Sequence, residues 1–286
     1  MHLVARALNE FEPGVVVWLA TSRELLEQAA ETFEVAWAYL GNRNLDLRRF
    51  WGGRATVPAD IEDGLLVAGL GKLHAWRERD PVAFLELSAK VRLVIMDEAH
   101  QAIAPTYRNV IEGLYGAGGE GALLGLTATP ERTWNDMSVN EELSTFFGGS
   151  KVVLEIGDDP NPVKYLLDNG YLARPTFEQI DYSPIIAPSQ SELKKLAKLD
   201  DYAEESLDRL GADTAQNLAI LSAAKDLIAR GHNRIILFAV SVEHAQDMAS
   251  GLAANGISSA VVSGNTPGTK RSSILKSFKS VPRQDR

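Results

Sequence analysis

The sequence predicts an α/β protein built from two doubly wound parallel-sheet domains, and three observations carry that prediction. Short β-branched runs such as "VVVWLA", "GLLVAGL" and "VRLVIM" alternate with longer amphipathic segments. A turn-rich stretch, "GDDPNPVKYLLDNGY", breaks this rhythm near residues 157–174. A second alternation of helix and strand patterns follows it, through "RIILFAV" and "SSAVVSG". Residues 1–156 are therefore expected to form the first domain, 157–212 a junction with a charged helical segment, and 213–286 the second domain.

Taken in order, "MHLVARALNE" reads as a helix with no strand before it. Val15–Ala20 is a buried-type strand entered through Pro13 and Gly14. Thr21, with Glu24 three residues later, predicts a capping box that opens the helix "SRELLEQAAETF". Strands are expected at Gly64–Leu70, Val91–Met96, Gly121–Thr127 and Lys151–Ile156. The stretch "SELKKLAKLDDYAEESLDRLG" predicts one helix or a helical pair from its leucines at 193, 196, 207 and 210. In the second domain Asp213 is the expected N-cap of "TAQNLAILSAAKDLIAR", with Gly231 as its stop. "SVEHAQDMASGLAANG" and "KRSSILKSF" complete the helices.

Composition narrows the function. Hydrophobic residues make up 45% of the 286-residue chain and charged residues 23%, the balance of a globular protein with a core. The net charge of −9 argues against coating nucleic acid through an overall field, although a local groove is compatible with it. One candidate for such a groove is "NRNLDLRRFWGGR", with Arg43, Arg48, Arg49 and Arg54 around Phe50 and Trp51; the basic tail from Lys270 to Arg286 is another. Both read equally well as solvated surface. No cysteine is present, which excludes disulfides and thiolate metal sites. With no export-type leader and no membrane-length apolar run, a cytoplasmic location is expected.

Chemistry concentrates in "LVIMDEAH". Asp97 and Glu98 leave the carboxyl end of a strand, where open α/β sheets bind their ligands. One carboxylate there can hold Mg²⁺ through water while its neighbour orients or deprotonates an attacking water. An acidic helix N-terminus would explain the same residues. The next strand ends in Thr127-Ala128-Thr129-Pro130, which places hydroxyls at the same sheet edge; an ordinary strand-to-turn exit has the same appearance.

"VIMDEAH" followed by "GLTATP" resembles motifs II and III of superfamily 2 helicases and translocases. "VVWLATSRELLEQAAETF" is similar to their motif Ia, and "RIILFAVSVEHAQDMASGL" to their motif IV. "VVSGNTPGTKRSSILKSF" resembles the stretch before motif V, and the DEAH-type motor subunits of restriction systems give the nearest likeness. The resemblance implies two RecA-like domains, ATP and Mg²⁺ in a cleft, and nucleic acid, DNA rather than RNA, as partner. Asp97 would then be the magnesium carboxylate, Glu98 the residue that activates water, and His100 the coupling residue. Thr127 and Thr129 would link hydrolysis to strand movement. Nucleic-acid contacts would fall on Thr21, Ser22 and Arg23, on Lys72, and on Ser241, Ser263 and Gly264. Gly69 stands where the family carries a hydroxyl, which weakens the case for Lys72.

A phosphate loop G-x-x-x-x-G-K-[ST] is missing. The one Gly-Lys pair, Gly71-Lys72, has Leu66 at the first glycine position and Leu73 at the hydroxyl position. With motifs V and VI also lacking, both domains are expected to be incomplete: the first without its P-loop strand, the second without its C-terminal strands. The chain alone is then expected not to hydrolyse ATP, and to self-associate or bind a partner subunit through open strand edges. The competing reading is a catalytically dead module that binds nucleic acid or a partner. Scattered histidines (2, 74, 100, 232 and 244) and the lack of a G-x-S-x-G elbow count against a metallohydrolase or a serine hydrolase.

Overall fold

The computed structural model describes residues 1–54, 57–116, 121–129, 137–153, 162–183 and 204–281. Contacts divide the chain into two compact units, Met1–Pro162 and Val163–Arg286.

The first unit is organised by β1 (Val15–Ala20), whose six residues are all buried. A fully apolar strand of this kind can be satisfied only at the middle of a sheet covered on both faces. It pairs in parallel with β3 (Gly64–Gly69) on one side and with β4 (Val91–Asp97) on the other. Charged β2 (Asp46–Phe50) adds to the outer side of β3, and β5 (Ala122–Leu126) to the outer side of β4. The resulting order is β2-β3-β1-β4-β5, every pair parallel.

Strand side chains alternate between two apolar layers, as the pleat demands. Val16, Trp18, Ala20, Leu65, Val67 and Ile95 meet α1 (His2–Glu10) and α2 (Arg23–Leu40) through Val4, Leu8, Leu26, Ala30 and Phe33. On the opposite face Val17, Leu19, Leu66, Ala68, Val94 and Met96 pack with α3 (Leu70–Arg79), α4 (Pro81–Lys90), α5 (Pro105–Gly116) and α6 (Met137–Phe146). Each fully buried leucine in these layers contributes roughly 1.5–3 kcal/mol by leaving water.

An ion pair ties the amino ends of the strands together. The guanidinium of Arg43 donates to both carboxylate oxygens of Asp63, at 2.8 and 2.9 Å, and to the Leu8 carbonyl at 2.7 Å. Asp63 also accepts from the Gly14 amide at 3.1 Å. Leu8 lies in the last turn of α1, so Arg43 satisfies a carbonyl with no partner inside the helix. At Gly64, φ is +148°, and a Cβ would come within 2.0 Å of the Asp46 carbonyl oxygen. Only glycine lets β2 and β3 start side by side.

The capping box expected at Thr21 is displaced by one residue. Helix α2 begins at Arg23, and Ser22 is the N-cap, accepting from the Leu25 amide at 3.2 Å. Strand β1 ends at Ala20, so two residues are needed to turn from strand to helix, and the second is the one within reach of the N3 amide.

In the second unit α7 (Pro162–Asp168), α8 (Glu204–Ala212), α9 (Thr214–Ala229), α10 (Val242–Ala254) and α11 (Gly268–Ser280) are formed. Asp213 caps α9 as expected, its carboxylate accepting from the amides of Ala215 and Gln216. Gly231, at φ +91°, follows that helix's end. The strands expected at 234–240 and 258–264 are not present, and no strand is assigned among the described residues of this unit. A strand exists only through its ladder, and no ladder is formed by these segments among the described residues; Phe238 is 91% exposed. Lys151–Val153 likewise carries no strand, and residues 154–156 of that expected strand lie outside the described residues. So do Pro130, Leu193, Leu196, Arg283 and Arg286.

Candidate functional site

Because all five strands run the same way, their carboxyl ends share one edge of the sheet. In spatial order that edge carries Trp51 to Arg54 after β2, Leu70 to Lys72 after β3, and Thr21 to Arg23 after β1. Asp97 to His100 after β4 and Thr127 to Thr129 after β5 complete it. Residues up to about 100 positions apart in sequence thus line one margin, the location where ligands of open α/β sheets are held.

Asp97 is the last residue of β4 and pairs with Leu126 of β5. Glu98 follows in the left-handed region, at φ 56° and ψ 52°, the only non-glycine with positive φ among the described residues. Such a conformation costs a β-carbon residue on the order of 1 kcal/mol. A single 3₁₀ turn, Ala99–Gln101, comes next, and α5 begins only at Pro105. The acidic pair therefore does not sit in the first turn of an α-helix, which removes the helix-dipole explanation for it.

Burial pushes the Asp97 carboxyl up from the ordinary carboxylate range, the amide of Glu98 pulls it down, and the charge of Glu98 raises it again. The Asp97 Oδ1 accepts that amide hydrogen at 3.1 Å. No described lysine or arginine is paired with Asp97. An uncompensated, partly buried carboxylate at a sheet edge suits a hard cation that keeps most of its waters and takes further oxygens from a phosphate ligand. No group of three or more His, Cys, Asp or Glu able to hold a metal ion occurs among the described residues. Asp97 and Glu98 are the carboxylates of this edge that could take part in holding such a cation.

His100 links the two motifs. Its Nδ1 lies 3.3 Å from Thr127 Oγ1 and 3.3 Å from Glu98 Oε2. Thr127 Oγ1 also accepts from the Thr129 amide at 3.1 Å. The threonine pair thus forms a local turn at the strand exit and, through the same oxygen, reaches the β4 turn. Gly125 makes this approach possible: a Cβ there would lie 2.8 Å from Ala99 Cβ and 2.7 Å from the Phe147 ring. Sequence reasoning passed over Gly125, although its place inside "GLTATP" is the available signal.

The remaining predicted residues divide between the units. Ser22 is occupied as a helix cap, and Arg23 lies 3.7 Å from Glu27. Lys72 donates to the Arg54 carbonyl and sits 4.4 Å above the Phe50 ring. Burial, then the charges of Arg54 and Arg79, lowers its pKa. Ser241 caps α10 by accepting from the His244 amide at 3.0 Å. The Ser263 amide donates to Thr266 Oγ1 at 2.9 Å, and a Cβ at Gly264 would meet open space. Ser241, Ser263 and Gly264 belong to the second unit.

The arginines around Phe50 and Trp51 do not make one continuous basic surface. Arg43 is held by Asp63, Arg48 by Asp46, Arg49 by Glu34 and Arg54 by Glu27. Sequence reasoning missed Glu27, whose only signal is its i,i+4 spacing from Arg23.

An acid pair and a hydroxyl pair thus stand at adjacent strand ends of one parallel sheet. Residues 1–132 match the sequence profile of the type III restriction enzyme, res subunit family. That match lies within the first unit. A "51.5 kDa protein" of Lactococcus phage (isolate 7-9) is 28% identical over 195 residues, 68% of this chain and 37% of that protein. The crystal structure of the Pyrococcus furiosus Hef helicase domain is similar at a TM-score of 0.45 and 19% identity, over 81% of this chain and 48% of its own. The chain thus spans less than half the length of either. No helix among the described residues is long and apolar enough to cross a membrane.

Proposed function

We propose that this chain is motor-core sequence of a DEAH-type helicase or translocase acting on nucleic acid, with DNA as the preferred substrate. The observation that carries the reading is the carboxyl edge, where Asp97, Glu98, His100 and Thr127 come together from two adjacent strands. Asp97 would hold Mg²⁺ through water, and Glu98 would orient and deprotonate the water that attacks the γ-phosphate. Bound ATP·Mg²⁺ would supply the phosphoanhydride whose hydrolysis drives movement. His100, between Glu98 and Thr127, would report the nucleotide state to the neighbouring strand. Thr21, Ser22, Arg23 and Lys72 would face the strand phosphates from the ends of β1 and β3, with Ser241, Ser263 and Gly264 as contacts from the second unit.

The 286 residues hold the carboxylate half of such a site and no G-x-x-x-x-G-K-[ST] loop, so they are proposed not to turn over ATP unaided. Sheet edges such as β5, with Ala122 and Leu126 exposed, would admit a second copy or a partner subunit. The test is anisotropy of a labelled single-stranded oligonucleotide, measured with and without ATP·Mg²⁺. Salt-sensitive binding that responds to nucleotide, and loses that response in Asp97→Ala, supports the motor reading. Salt-sensitive binding indifferent to both would leave a binding module without nucleotide chemistry.

A further inference from the structure

We propose that Glu27 is a built-in competitor for nucleic-acid phosphate, holding Arg23 and Arg54 together until a bound strand displaces it; the inference rests on the nucleic-acid reading above. Both arginines converge on one oxygen. Arg54 donates to Glu27 Oε1 at 3.0 Å, and Arg23 Nε lies 3.7 Å from that same atom. They arrive from different strands: Arg23 opens α2 after β1, while Arg54 ends the described part of the loop after β2.

The surroundings fit an anion other than a carboxylate. The Arg54 guanidinium lies 4.8 Å above the Trp51 ring, which presents its donors in a fixed plane while the indole stays buried. Lys72 anchors the same loop by donating to the Arg54 carbonyl. Gly52 and Gly53 precede Arg54, and a Cβ at either would meet nothing within 4 Å. A chain phosphate could therefore approach this loop backbone without steric opposition. Glu27, one turn beyond the start of α2, already occupies the place where two such donors meet.

The energetics suit a latch. The three side chains are 30–53% exposed, the range in which an ion pair contributes little to folding and yields readily to a competing anion. A phosphate offers more acceptor oxygens to the two guanidinium groups than one carboxylate edge does. Each engaged arginine also releases counterions from the strand, a gain the internal pair cannot supply. Glu27 thus sets a threshold on binding and selects against weak or transient polyanions.

The experiment uses the full 286-residue chain and a fluorescein-labelled oligothymidylate of about 20 nucleotides at about 50 mM and 200 mM salt, where phosphate contacts differ most. Glu27→Gln is expected to tighten binding by about fivefold to twentyfold at the lower salt, the factor for releasing one or two exposed pairs. The slope of log affinity against log salt should stay close to that of the unaltered protein, because the displaced latch leaves the same phosphate contacts in both complexes. Glu31→Gln removes the same charge one turn further along α2 and controls for bulk field; it should move affinity by less than about twofold. In the Glu27→Gln/Arg54→Ala double variant the gain should vanish. Equal affinities for the Glu27→Gln and Glu31→Gln proteins, or weaker binding by Glu27→Gln, would overturn the latch while leaving nucleic-acid binding intact. No binding by any variant overturns the nucleic-acid reading, and the latch with it.

Discussion

Replacing Arg43 by methionine keeps the aliphatic stem and deletes three charged donors at the amino edge of the sheet. Asp63 then keeps only the Gly14 amide, and the Leu8 carbonyl loses its partner. The Arg43 and Asp63 side chains are 14% and 24% exposed, so water replaces the lost contacts only in part. A hydrogen bond to a charged group contributes about 1.5–3 kcal/mol, and breaking a buried pair costs about 3–5 kcal/mol. Partial exposure places this variant near the lower figure, at about 3 kcal/mol. For a unit of this size that corresponds to a fall in Tm of roughly 6–12 °C. All five tryptophans (18, 37, 51, 76 and 134) lie in the first unit, so intrinsic fluorescence reports its melting selectively. Trp37 is the nearest, donating to the Arg43 carbonyl at 2.9 Å. The pH dependence has a definite sign. Arg43, then the Gly14 amide, hold the Asp63 carboxyl below its ordinary value, so the pair stabilises the fold above pH about 4. That stability is lost as pH falls through the lowered folded-state value, and the penalty of Asp63→Asn should shrink in the same window. A Tm shift below about 2 °C in Arg43→Met, or a penalty in Asp63→Asn that grows with acid, would refute this account.

Three further outcomes are expected. Gly64→Ala should cost at least about 3 kcal/mol in denaturant melts, because its Cβ would collide with the Asp46 carbonyl at a backbone angle open only to glycine. Glu98→Gly should not destabilise the first unit and should raise its stability by up to about 1 kcal/mol, since the left-handed strain disappears; a loss above that size would contradict the strain. In the second unit, His244→Ala should cost about 2–3 kcal/mol by urea titration followed by circular dichroism, because the buried ring accepts from the Val240 amide and bonds Asn217 Oδ1 at 3.0 Å. His244→Asn combined with Asn217→Ala should then show coupling, as expected for neighbours sharing a bond.

Much of the first unit was legible because its signals are local. An uninterrupted apolar run specifies a strand buried on both faces, and "VVVWLA" needs no partner to declare itself. Carboxylates at the exit of such a strand point to the ligand edge by geometry alone. What stayed hidden depends on pairing across distance. Strand β2 reads "DLRRF", too charged to stand out, and becomes a strand because β3 offers it a ladder. The converse holds at 234–240, where a strong β pattern forms no ladder among the described residues and so no strand. The charge of "NRNLDLRRFWGGR" was hidden in the same way, since Arg43, Arg49 and Arg54 met carboxylates contributed by other parts of the fold and Arg48 met Asp46 within the stretch.

By itself the sequence determined the parallel α/β class of the first unit, the acid and hydroxyl pairs at its ligand edge, and the absence of a phosphate loop from these residues. Only the tertiary structure decided that Glu98 stands in a strained left-handed turn and that Gly125 lets His100 reach Thr127. It alone brought Glu27 between arginines from two strands. Local patterns fix which segment becomes a strand or a helix, whereas charge pairing and close approach are set by neighbours distant in the chain, and only the folded arrangement supplies them.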